Sequence, residues 1–252
     1  MPAPEWITAT PIAHRGFHDT SAGRIENSPS AVAAALERGF AIEVDLQETA
    51  EHGALVFHDN DLDRLTCETG PVRSRRLSEL TSIPMRDGTD TLWDLDALLE
   101  MVAGRVPLII EMKSLNARDG QRAFVETVVA RLASYDGPVA LKTFDPEMLA
   151  NIRTLAPALP RGIIAEDTSG PDYRRFGLME RFILRNLLHW PRTRPDFISY
   201  GIRSLPAPAV WFFKTVFRVP VITWTVRTAD DRAAAARYAD QIVFEGFDPG
   251  RT

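Results

Sequence analysis

The sequence predicts an α/β protein, a closed (β/α)8 barrel with a β-hairpin arm after its second barrel strand. Three observations carry this. Short apolar segments alternate with helical ones along the chain, the pattern of parallel strands joined by helical crossovers. Nine segments qualify as strands, near 11–14, 41–47, 54–58, 106–113, 138–143, 162–166, 196–200, 220–226 and 241–245. Segment 54–58 follows its predecessor after a connection too tight for a parallel crossover, which takes about a dozen residues, so these two pair antiparallel. Eight strands then remain for the parallel set, and eight such strands with helices between them close a barrel.

The elements justify themselves in order. "PIAHRG" is a short strand that delivers His14 and Arg15 and breaks at Gly16. "ENSPSAVAAALERGF" is a helix with both ends written in: Ser28 caps, Pro29 suits the first turn and Gly39 the position past the end. "AIEVDLQ" alternates Ile42, Val44 and Leu46 against Glu43, Asp45 and Gln47, a period of two. "ETAEHGALVFHD" turns and returns as the arm, bringing His58 and Asp59 back to the C-terminal end of the second strand. Beyond it, the helices "LWDLDALLEMVAG", "RAFVETVVARLASYDG", "DPEMLANIRTLAP" and "ADDRAAAARYA" separate the strands "VPLIIEMK", "PVALKTF", "RGIIAE", "DFISYG", "VPVITWTV" and "DQIVFEG".

Composition sets the bounds. The chain has 252 residues, 45% hydrophobic and 25% charged, with a formal net charge of −5. That length and balance suit one globular domain over 1–252. No long basic run supports a nucleic-acid partner. The one cysteine, Cys67, has no internal disulfide partner. The N-terminal "MPAPEWITATPIAHRG" lacks the pattern of a signal peptide, and no apolar run reaches the roughly 20 residues that span a bilayer. A cytoplasmic location is the expectation.

In a barrel of this kind chemistry sits at the C-terminal ends of the strands. His14, Arg15, Glu43, Asp45, His58, Glu111 and Lys113 come from separate stretches, and the topology gathers them there. Glu43 and Asp45 are two apart and point to one side of their strand, with Cα atoms about 6.6 Å apart. With Glu111 they make an all-oxygen site suited to a hard divalent cation, Mg2+ or Ca2+. Arg15 and Lys113 supply fixed positive charge for a phosphate. His14 and His58 exchange protons near neutral pH. Together they describe a phosphodiester-cleaving site. Taken singly each has a plainer explanation: a solvated Glu-x-Asp face, a surface Glu-x-Lys pair, a structural histidine. His18, His52 and His189 fit the last of these.

"AHRG", "EN", "EVDLQ", "ALVFHD", "LDRLT" and "IIEMK", in this order, resemble the glycerophosphodiester phosphodiesterase family. The likeness is densest over 12–114 and extends to "FDPEMLANIRTLAP" and "VITWTVRT". It implies a (β/α)8 barrel with a hairpin arm that hydrolyses small-molecule glycerophosphodiesters to glycerol phosphate and an alcohol, using a divalent metal. It further implies that His14 and His58 are the acid–base pair and that Glu43, Asp45 and Glu111 are the metal ligands. Arg15 and Lys113 match phosphate-contacting residues. Glu26 and Asn27 match a Glu-Asn pair that positions groups around the bound substrate. Trp224 matches an aromatic near the mouth, against which a substrate skeleton packs; plain core packing is its equal alternative. Lysophospholipase D-like hydrolysis and a catalytically inactive, phospho-ligand-binding barrel are the alternative functions, and the intact His, Arg, Glu and Asp set favours catalysis.

The chain departs from that family's pattern in places. Its last strand carries Gln241 for a glycine and Glu245-Gly246 for Thr-Asp, and the arm's tip reads "TAEHG". A full eighth helix is missing after the last strand, and "MPAPEWITAT" is the expected cover for that space. Segment 167–219 mixes arginines with aromatics and leucines. Two barrel helices with buried apolar stripes are the favoured expectation for it. The alternative is an amphipathic rim in peripheral contact with a membrane or a lipid tail.

Overall fold

The computed structural model describes residues 3–250, with Asp172 described by its backbone alone. Nine strands form one sheet: β1 (Ile12–Ala13), β2 (Ala41–Glu48), β3 (Ala54–Val56), β4 (Leu108–Met112), β5 (Val139–Thr143), β6 (Arg161–Ala165), β7 (Phe197–Gly201), β8 (Val221–Val226) and β9 (Gln241–Phe244). Eight of them are parallel, and β1 closes the barrel by pairing with both β2 and β9. β3 is the antiparallel exception, with Leu46 opposite Val56 and Glu48 opposite Ala54. Closed in this way, the eight parallel strands form a (β/α)8, or TIM, barrel.

The helices are α1 (Trp6–Ala9), α2 (Pro29–Arg38), α3 (Leu77–Leu80), α4 (Leu95–Val102), α5 (Arg122–Leu132), α6 (Pro146–Leu155), α7 (Leu178–Arg185), α8 (Trp190–Thr193), α9 (Pro208–Val216) and α10 (Ala229–Tyr238). Local chemistry sets their ends. Ser28 accepts from the Ala31 amide at the start of α2, and Gly39 stops it at φ 68°. Asp94, Asp145 and Thr228 cap α4, α6 and α10 in the same way.

Strand alternation divides the core. Ile42, Val44, Leu108, Ile110, Leu141 and Ile163 face outward and pack with helix residues such as Val32, Leu98, Val128 and Ile152. Ile12, Ile109, Ala140, Phe197 and Ile222 face inward at the barrel floor. Gly162 is required there, because a Cβ would come within 2.3 Å of the Phe197 ring. The N-terminal segment joins this floor. Ile7 of α1 packs on the same inward cluster, and the Gln241 amide donates to the Thr8 carbonyl at 3.0 Å. The segment therefore closes the bottom of the barrel rather than replacing an outer helix; Met1 and Pro2 lie outside the described residues.

Segment 167–219 differs from the favoured expectation. The departure is in α7, which buries none of its residues; α9 meets the expectation, burying Val210 and Phe213 one turn apart in the core. An apolar stripe at helical spacing reports a face, not what lies against it, and on α7 the core is not there. Among the described residues no helix is long and apolar enough to cross a membrane.

Candidate active site

The mouth of the barrel is built by parity. Leu46 and Val44 point out, so Asp45 and Glu43 point in; β4 sets Glu111 beside Asp45, and β5 sets Lys142 beside Glu111. All four side chains are buried. Glu43, Asp45 and Glu111 each offer an oxygen within 4.8 Å of the others. One hard cation with bonds of about 2.0–2.6 Å fits such a triangle. Lys142 Nζ lies 2.9 Å from Glu43 Oε1, and the Arg15 amide donates to Glu43 Oε2 at 3.1 Å. An all-carboxylate donor set is chemically suited to Mg2+ or Ca2+.

The cluster already contains its own cations. Lys113 Nζ lies 2.8 Å from Asp45 and 2.5 Å from Glu111, and Lys142 Nζ lies 3.6 Å from Glu111. Arg15 Nε is 3.3 Å from Asp45. Burial pushes the Asp45 carboxyl up, but the Lys113 ammonium and the Arg15 guanidinium outweigh it and hold the group well below the usual range. Burial works against the charge of Lys113 and of Lys142, and their carboxylate neighbours win in both cases and raise them. Lys142 was not singled out by its sequence context. Its signal was its parity with the inward-facing Ala140. Lys142→Met, which removes one partner of a buried pair and leaves Glu43 uncompensated, is expected to cost about 3–5 kcal/mol of metal-free stability, read by denaturant titration.

Each histidine is held by a carboxylate. His14 follows β1, and its amide donates to the Phe244 carbonyl at 3.0 Å. Its Nδ1 lies 2.7 Å from Glu245 Oε2, and its Nε2 lies 4.0 Å from Glu43. A carboxylate only accepts, so Nδ1 carries the proton and Nε2 is left as the basic nitrogen on the side of Glu43. Glu245 is held in turn by Arg227, at 3.1 Å through both Nε and Nη2. Burial raises the Glu245 carboxyl, yet hydrogen bonds from His14, His18 and Arg227 keep it well below the usual range. His58 reaches the mouth because the arm returns antiparallel, with the Phe57 amide on the Asp45 carbonyl at 3.0 Å. His58 Nδ1 meets Asp59 at 2.8 Å, and the Gln47 amide donates to the His58 carbonyl.

Behind these runs a chain of ion pairs. Arg15 donates to Glu26 at 2.6 Å, Arg64 donates to Glu26 at 2.7 and 3.0 Å, and Arg64 grips Asp59 at 2.6 and 2.9 Å. It links Arg15 to His58 by way of Asp59. The tight approach at "AHRG" needs its glycine: Gly16 has φ 79°, and a Cβ there would stand 2.8 Å from the Ala31 backbone. Asn27 is completely buried, donating to Asp45 Oδ2 at 2.8 Å and accepting from the Asp45 amide at 3.1 Å. Both polar atoms of its side chain are spent on Asp45, so Asn27 stands behind the cluster and off the cavity wall. Trp224 is half-buried, donates to the Ser199 carbonyl at 3.2 Å and packs edge-on against Phe144 with ring centres 5.6 Å apart.

A cavity of about 260 Å³ opens beside the cluster. Glu111 and Lys113 form its polar end, and Phe144, Ile164, Tyr173 and Phe176 line its apolar part. Neither His14 nor His58 lines it, so the histidines flank the carboxylates on the side of β1 and the arm.

With this geometry in hand, the chain was compared with known proteins. A model of the glycerophosphoryl diester phosphodiesterase family matches residues 14–190. An uncharacterized protein of Bacillus subtilis (strain 168), YqiK, is 30% identical over 166 residues, 62% of this chain and 66% of that protein. An Oleispira antarctica phosphodiesterase, solved in complex with the product sn-glycerol-3-phosphate, superposes with a TM-score of 0.73 at 17% identity, over 93% of this chain and 91% of that one. A glycerophosphodiester phosphodiesterase from Parabacteroides distasonis also gives 0.73, at 20% identity, over 94% and 92%.

Proposed function

This chain belongs to the glycerophosphoryl diester phosphodiesterase family, and we propose that it hydrolyses small-molecule glycerophosphodiesters to glycerol phosphate and an alcohol with His14 and His58 as its acid–base pair. Its enzyme class follows from the family: it is a phosphoric diester hydrolase. The observation that carries the finer proposal is the triangle of Glu43, Asp45 and Glu111, with oxygens within 4.8 Å of one another, set between two carboxylate-anchored histidines. The Oleispira antarctica relative, with sn-glycerol-3-phosphate bound, supports a substrate of this size and charge. The whole of 1–252 is taken as one catalytic domain.

A divalent cation bound to Glu43, Asp45 and Glu111 supplies positive charge for the phosphodiester oxygens. The chain's own residues do the rest. Arg15 and Lys113 add fixed positive charge at the phosphate. One histidine accepts a proton from the attacking hydroxyl and the other gives one to the leaving alcohol. Where the attacking hydroxyl belongs to the neighbouring glycerol carbon, the step is intramolecular and gains from proximity, and water then opens the cyclic phosphate. The test is a screen of glycerophosphocholine, glycerophosphoethanolamine, glycerophosphoglycerol and lysophosphatidylcholine for product release with Mg2+ or Ca2+. Turnover of none of them, by a folded and metal-loaded protein, would refute the proposal.

Glu245 acts through His14, as a positioning residue. Glu245→Gln keeps the shape but offers an amide that can also donate to Nδ1, so the imidazole loses its fixed tautomer. A fall in kcat of roughly 10–100-fold, with KM little changed, is expected from such a change. Steady-state kinetics separates the two parameters, and an unaltered kcat would mean that the Glu245 contact is only structural.

A further inference from the structure

Exposed apolar surface and positive charge coincide on one part of this molecule. Among the described residues nine large hydrophobic side chains are exposed, and eight of them lie between Leu178 and Phe217. On α7, Leu178, Met179 and Phe182 are 84%, 71% and 57% exposed. On α9, Trp211 and Phe212 are 66% and 44% exposed. Charge separates in the same way. Segment 167–219 carries nine arginines and lysines against four acids, a balance of +5, while the remainder carries 20 against 30, a balance of −10. Arg174, Arg175, Arg185 and Arg203 are exposed within it, on the connections that leave β6 and β7 at the mouth of the barrel.

The two helices are joined in space. One cleft is lined by Asp167, Arg185 and Asn186 on one side and by Pro206, Ala207 and Pro208 on the other. Trp190 of α8 stacks on Phe213 of α9 with ring centres 4.0 Å apart. α7 also lies in the connection that leaves the C-terminal end of β6, and Tyr173, Phe176 and Leu184 of that connection line the cavity beside Glu111. The exposed face is therefore the outer side of the wall whose inner side borders the candidate active site.

We propose that α7 and α9 form a docking face for an anionic lipid surface, which seats the mouth of the barrel against the bilayer. An acidic protein with one basic, aromatic-rich face has the charge complementarity that such a surface requires. The aromatic and aliphatic side chains enter the headgroup boundary while the arginines stay among the phosphates. Large apolar side chains left this exposed mark an interaction site. Nothing in this binding depends on which phosphodiester the enzyme cleaves.

The test is co-sedimentation of the full chain with vesicles of phosphatidylcholine alone and of phosphatidylcholine mixed with phosphatidylglycerol. Binding is expected to the mixed vesicles, with little to phosphatidylcholine alone, and it should fade as salt rises and the Debye length shrinks. The double substitution Phe182→Ser, Trp211→Ser should weaken partitioning roughly tenfold or more and leave turnover of a water-soluble glycerophosphodiester unchanged, since neither side chain lines the cavity. Met179→Ser with Phe212→Ser is the second pair, and a thermal melt of each confirms folding. Absence of binding to the anionic vesicles at low salt overturns the proposal. So does equal, salt-independent binding to both kinds of vesicle. A concentration-dependent dimer in light scattering, dissolved by the same substitutions and accompanied by no vesicle binding, overturns it in favour of a second copy of this chain.

Discussion

Exhaustive chelation is expected to abolish phosphodiesterase activity while leaving the barrel folded, and Mg2+ or Ca2+ to restore it. Three carboxylates with oxygens within 4.8 Å would repel one another by about 3–4 kcal/mol per pair at an effective dielectric constant of about 20. Each close ammonium contact, such as Lys113 on Asp45 at 2.8 Å, returns about 6 kcal/mol on the same scale. Lys113, Lys142 and Arg15 thus offset the repulsion without a metal, and the metal-free protein keeps its fold. What they do not supply is the dipositive charge that a metal held by Glu43, Asp45 and Glu111 would offer the phosphodiester. Glu43→Gln and Asp45→Asn should weaken metal binding roughly 100-fold or more, read by calorimetry. Glu43→Gln also strips the buried Lys142 of its carboxylate partner at 2.9 Å, so it should lower the metal-free melting temperature, as Lys142→Met does, without unfolding the barrel. Full activity after chelation, with elemental analysis confirming metal removal, would end the metal proposal.

The barrel and much of the mouth were legible in the sequence for one reason: both obey the period of two. Alternation in "AIEVDLQ" fixes which side Glu43 and Asp45 take, and the shortness of the turn before "ALVFHD" fixes the direction of β3 and hence the end at which His58 stands. "IIEMK" places Glu111 by the same parity. Other parts of the site do not follow from local pattern. Glu245 meets His14 across 231 positions of sequence, and only closure of β9 onto β1 brings them together. Arg64 sits in the connection after the arm and shows itself only through its grip on Glu26 and Asp59. Convergence of three carboxylates points to a cation, and the buried Lys142 with the half-buried Lys113 already supplies part of that charge. Segment 167–219 misled for a physical reason. Helical periodicity in α7 is strong, but periodicity cannot tell a face turned to the core from one turned outward.

Replacement of either histidine is expected to remove proton transfer and spare the fold. His14→Ala and His58→Ala should each lower kcat by about 10²- to 10⁴-fold, or roughly 3–5 kcal/mol of transition-state stabilisation. KM should change little, because neither imidazole carries the fixed charge that holds a phosphate. Arg15→Ala should differ by raising KM as well, since its guanidinium meets charge present in the ground state. Its loss also opens the chain of ion pairs through Glu26 and Arg64, so part of its effect should reappear in Arg64→Ala. The doubly substituted His14→Ala, His58→Ala protein should be far less impaired than the product of the two single effects, as expected of groups that act as one unit. Each variant leaves an anchor behind: Glu245 keeps Arg227, and Asp59 keeps Arg64. Neither carboxylate is then stranded, and thermal melts should stay close to that of the parent. Steady-state kinetics on a glycerophosphodiester decides the matter. Near-normal kcat in both histidine variants would make His14 a structural residue of the first strand and would leave the carboxylate cluster to act without an acid–base pair.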